Sequence, residues 1–77
     1  MITAEELRYI FEKFGSIENI NILYEKNCVF IDYYDESSAI EAQNRMKGMM
    51  LDGNLVELGF GKYEEKQTVG VRWSHHV

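Results

Sequence analysis

Few residues of this sequence are of a type, and at a spacing, that could carry covalent chemistry. Cys28 is the single cysteine. A reactive thiol needs a neighbour that stabilises its anion, and in sequence only Lys26 stands close, so Cys28 reads as an inert thiol. His75 and His76 are adjacent near the chain end, with no carboxylate or cysteine ligand at useful spacing, and read as a frayed tail rather than a metal site. There is no Ser/His/Asp pattern, no glycine-rich phosphate loop and no Cys/His metal spacing. The expectation is a non-enzyme that needs no cofactor and no metal, although fold alone does not exclude catalysis. The most informative run is Lys26-Asn27-Cys28-Val29-Phe30-Ile31-Asp32-Tyr33. Strand side chains alternate between faces. Val29, Ile31 and Tyr33 are therefore expected to share one face, and Lys26, Cys28, Phe30 and Asp32 the other.

The chain that must position these residues has 77 of them, enough for one small domain. Its 45% hydrophobic and 27% charged residues suit a globular protein and are too apolar for a disordered one. Proline is absent, and no stretch resembles a flexible linker. Apolar runs are too short to span a bilayer, and the first residues lack the basic start and apolar core of a signal peptide. The lone cysteine fits a reducing, intracellular setting, with nucleus and cytoplasm not distinguished. The net charge of -5 is the wrong sign for binding nucleic acid by bulk electrostatics.

Periodicity supplies the elements. Thr3 and Glu6 form a capping box. Leu7, Ile10, Phe11 and Phe14 follow as one helical stripe, stopped by Gly15. Ile17 to Tyr24 reads as a strand, with Ile20 and Ile22 alternating against Asn19 and Asn21. Glu25-Lys26-Asn27 is a polar turn, and Cys28 to Tyr34 is the partner strand of an antiparallel hairpin. A second helix starts at Asp35, a good N-cap, and runs to about Lys47, with Ala39, Ala42 and Met46 inward and Gly48 as its stop. Leu51 to Asn54 is a turn, and Leu55 to Phe60 alternates with Val56, Leu58 and Phe60 on one face. After a polar stretch, a short apolar run spans Thr68 to Trp73. The order α-β-β-α-β, with a further strand, points to a two-layer α+β sandwich. Its expected core is Leu7, Ile10, Phe11, Phe14, Ile20, Ile22, Val29, Ile31, Tyr33, Ala39, Ala42, Val56 and Leu58. Met46, Met49 and Met50 read as core gap-fillers or a sticky surface. The acidic helix residues read as a solvated face.

These elements resemble the RNA recognition motif (RRM) family from about Thr3 to Lys62. The first helix and turn, Glu6 to Ile17, resemble that family's first helix. Ala39-Ile40-Glu41-Ala42 with Met46-Lys47-Gly48 resembles the second. Leu51-Asp52-Gly53-Asn54 resembles the last turn. The family octapeptide is K/R-G-F/Y-G/A-F-V-x-F/Y. Lys26, Phe30, Ile31 and Tyr33 fit it; Asn27, Cys28 and Val29 depart from it. The resemblance implies a ferredoxin-like sandwich, an antiparallel sheet backed by two helices. It also implies that the open sheet face stacks unpaired bases of single-stranded RNA on aromatic rings while a basic residue holds phosphate. On that basis Phe30 is the stacking platform and Lys26 the phosphate contact. Cys28, Asn19, Asn21 and Arg72 are further RNA-facing positions. Asp32 and Glu57 add negative charge to that surface. Tyr33 belongs to the core, and Tyr24 and Tyr34 are rim candidates.

The family's first strand has no counterpart here. Residues 1–62 therefore read as an RRM-like core and residues 63–77 as an extension able to form an extra strand. Three arrangements are open. The domain is incomplete, or the tail run Thr68 to Trp73 fills the vacant slot with Val69, Val71 and Trp73 inward, or a strand from a second copy does so. Two functions follow: single-stranded RNA binding on the open face, or a protein-interaction or dimerisation module with little RNA binding. The acidic balance, Cys28 in the aromatic slot and the missing first strand favour the second, and the retained Phe30 and Lys26 favour the first. No membrane partner is expected.

Overall fold

A computed structural model describes residues 3–47, 50–51, 54–60 and 67–73, with 50–51 and 54–60 described through their backbone pairing alone. The first helix, α1 (Ala4–Phe11), opens where expected: the Glu6 N–H donates to Thr3 Oγ1 at 3.2 Å. Leu7 and Phe11 are fully buried, and the chain then tightens into a 3-10 turn over Glu12–Phe14. Gly15 ends it with φ +154°, and a Cβ there would collide with the side chain of Ser38 in the second helix. Glycine is thus needed both for its backbone angle and for close approach.

β1 (Ile17–Leu23) and β2 (Cys28–Tyr33) form the expected antiparallel hairpin, with an irregularity between Ile17 and Asn19. They are joined by a 3-10 turn, Tyr24–Lys26, and by Asn27 in the left-handed region at φ 52°. Asparagine tolerates that region better than most side chains, so it can stand where the family octapeptide has glycine. The second helix, α2 (Glu36–Met46), has Asp35 at its N-cap position without a side-chain hydrogen bond. The Ser38 N–H is taken instead by the Asp35 backbone carbonyl, 3.2 Å away. Gly48 and Met49 lie outside the described residues. A two-residue strand not anticipated from sequence, β3 (Met50–Leu51), pairs with β4 (Asn54–Phe60).

The last strand, β5 (Thr68–Trp73), decides the topology. The five strands lie in the order β1-β2-β5-β4-β3, antiparallel throughout. The run Thr68 to Trp73 enters between β2 and β4, the tail-insertion arrangement among the three that the sequence left open. Its ends are held by two backbone bonds: Tyr33 N–H to Gln67 carbonyl at 2.9 Å and Trp73 N–H to Asn27 carbonyl at 3.0 Å. Val69, Val71 and Trp73 are buried, and each such apolar side chain contributes about 1.5–3 kcal/mol.

The core lies between this sheet and the helices. Leu7, Phe11, Val29, Ile31, Tyr33, Ala39 and Ala42 are buried as expected, joined by Met46 and the three β5 residues. Ile10, Phe14, Ile20 and Ile22 pack against it while only partly buried. The side chains of Val56 and Leu58 lie outside the described residues. The Tyr33 hydroxyl donates to the Phe11 carbonyl at 2.6 Å, which satisfies a carbonyl at the end of α1.

Candidate nucleic-acid interface

The alternation of β2 places Val29, Ile31 and Tyr33 against the helices and Cys28, Phe30 and Asp32 on the opposite, half-buried face. Strand register extends that face sideways. Asn21 pairs with Phe30, and Phe30 with Gly70 of β5, which in turn pairs with Gly59 of β4. Phe30 thus has a polar neighbour on one flank and, at Gly70, no side chain on the other. Because β5 brings glycine to the position paired with Phe30, no side chain at that position competes with a planar ligand for the ring.

The remaining candidates sort to the two ends of the face. At one end Cys28 pairs with Arg72, and Arg72 pairs with Glu57, whose side chain lies outside the described residues. Lys26 is exposed in the turn just before β2. Alternation does not place its side chain, because Asn27 breaks the extended backbone. The bond from Trp73 to Asn27 keeps the Lys26 turn beside the Arg72 end of β5. At the other end Asn19 pairs with Asp32, and Asp32 with Thr68. The Thr68 hydroxyl donates to Asp32 Oδ1 at 2.6 Å. Among the described residues the face therefore runs from Arg72 beside Cys28, past Phe30, to the Asp32 carboxylate. Sequence reading counted Asp32 only as unfavourable charge; its partner Thr68 could not be found before the strand pairing was known.

Other sequence candidates fall elsewhere. Tyr34 is exposed, and so is Tyr24, at the hairpin turn. Burial pushes the Tyr33 phenol well above its ordinary range, consistent with a core role. His75 and His76 lie outside the described residues. Among the described residues no cluster of three or more His, Cys, Asp or Glu could hold a metal ion, and no helix is long and apolar enough to cross a membrane.

An antiparallel sheet with helices on one side and Phe30 on the other defines a class of small α+β domains. Residues 1–57 match the RNA recognition motif family, and the chain belongs to it. Among curated relatives, the RNA-binding protein MRN1 of Saccharomyces cerevisiae is 42% identical over 62 residues, covering 80% of this chain and 10% of its own length. The polyadenylate-binding protein RBP45A of Arabidopsis thaliana is 32% identical over 73 residues, covering 95% of this chain and 19% of its own length. The RNA-binding post-transcriptional regulator csx1 of Schizosaccharomyces pombe is 33% identical over 60 residues, 78% of this chain and 10% of its own. The chain thus spans less than a fifth of the length of each. No solved structure matches it.

Proposed function

We propose that this chain is a binding domain, not a catalyst, and that it takes single-stranded RNA on its open sheet face. The observation that carries the reading is Phe30, on the helix-free face of an inner strand, flanked by Gly70 in register. A base has a π-face whatever its identity, so one half-buried ring on this face is enough for a stacking contact. Lys26 and Arg72 would draw the phosphate backbone to their end of the face, Asn19 and Asn21 would offer amides along β1, and Cys28 would lie beneath the backbone. Family membership and the RNA-binding names of the relatives support this. RNA as the ligand makes this an intracellular activity.

The test is a titration of short single-stranded oligonucleotides against the wild type and Phe30→Ala. A stacked base is worth about 1–3 kcal/mol, so the substitution should weaken binding about tenfold or more. No binding by the wild type at high protein concentration and low salt, or binding that Phe30→Ala leaves intact, would refute the proposal.

A further inference from the structure

We infer that Asp32, held in place by Thr68, reads the edge of the base stacked on Phe30 and selects bases that carry an exocyclic amino group over uracil. This rests on the stacking reading above. Asp32 lies two residues beyond Phe30 on the same face of β2, about 7 Å along the strand at 3.3 Å per residue. That separation suits a planar base centred on the ring and reaching toward the carboxylate. Arg72 pairs with Cys28 at the opposite end of the face. A nucleotide whose phosphate is drawn to that end points its base edge toward Asp32.

The carboxylate is placed, not free. The Thr68 hydroxyl, in a residue only 7% exposed, donates to Oδ1 at 2.6 Å. An ionised carboxylate only accepts hydrogen bonds and has about four acceptor positions. One bond from Thr68 therefore holds the carboxylate in place while using only one of those acceptor positions. Adenine and cytosine present amino donors on their Watson–Crick edges. Uracil presents carbonyl oxygens on both sides of its N3–H, and a fixed carboxylate repels them. Thr68 comes from β5, the strand that enters between β2 and β4, so this arrangement depends on that placement.

The experiment compares homo-oligonucleotides of adenine, cytosine and uracil binding to the full chain and to Phe30→Ala, Asp32→Asn and Thr68→Val, with melting followed in parallel. The wild type should prefer adenine and cytosine to uracil by about tenfold, the size of one base-edge discrimination. Asp32→Asn should collapse that preference to within about twofold, chiefly by tightening uracil binding, because an amide can also donate. Thr68→Val should reduce it part-way. A wild type that binds all three alike, or an Asp32→Asn protein that melts lower with its preference unchanged, would overturn the inference and leave Asp32–Thr68 as a strand tie. Those results differ from loss of the parent reading, in which no oligonucleotide binds or Phe30→Ala has no effect.

Discussion

Tyr33 shows how one residue can belong to the family octapeptide and yet serve only the fold. Its ring is fully buried and its hydroxyl caps α1 through the Phe11 carbonyl. Tyr33→Phe should destabilise the protein by about 1–3 kcal/mol, because a buried carbonyl loses its partner; urea denaturation measures this. The pH dependence has a definite sign. The folded-state phenol is raised above the ordinary value of 10.0, so between those limits the unfolded chain binds fewer protons than the native one. Stability should therefore fall as pH rises past about 10, and Tyr33→Phe should flatten that fall. An equally steep alkaline loss in the variant would assign it to other groups. Lys26 acts at the opposite extreme, exposed and outside the strand. Lys26→Ala should weaken RNA binding less than Phe30→Ala and make its salt dependence shallower.

β5 is the element on which the sheet depends. Without it β2 and β4 would each present an open edge over an unsealed core, an arrangement that natural sheets avoid. Removing residues 67–77 should lower the melting temperature sharply or cause aggregation. An unchanged melt and a clean monomer would show that the strand is dispensable. Trp73→Ala should cost about 3–5 kcal/mol, the usual range for a buried tryptophan. Trp73 is the single tryptophan and only 7% exposed, so its emission should shift to the red in step with global unfolding. An early shift would mean that β5 leaves the sheet before the rest unfolds. Gly15 guards a second contact, between α1 and α2. Gly15→Ala meets both a positive φ and Ser38, and should destabilise by more than about 1 kcal/mol.

Across the whole molecule the charge of -5 sets the character of binding. On the proposed reading long-range attraction cannot supply affinity, so binding should depend on stacking at Phe30 and on local polar groups. With two cations near the phosphate path, the logarithmic salt slope should be roughly -1.4, at about -0.7 per neutralised phosphate of a single strand. A much steeper slope in a salt titration would require a basic surface other than the Lys26 and Arg72 end. Double-stranded RNA should bind poorly, since its bases cannot be splayed onto the sheet.

The local elements were legible in the residues because helices and strands print their periods directly. The Leu7–Phe14 stripe, the Ile20/Ile22 alternation and the inward set Val29, Ile31 and Tyr33 each needed only spacing and one buried side. Phe30 followed from the same alternation. The short strand Met50–Leu51 was not legible, because two residues show no period. The placement of β5 was left open among three arrangements, because pairing between segments distant in sequence is settled by which edge and which core remain unfilled. That tertiary choice put Gly70 beside Phe30 and Thr68 beside Asp32. The sequence alone therefore determined which residues of β2 face away from the helices. Only the closed sheet decided which of them are neighbours, because cross-strand register is set by packing the whole core at once.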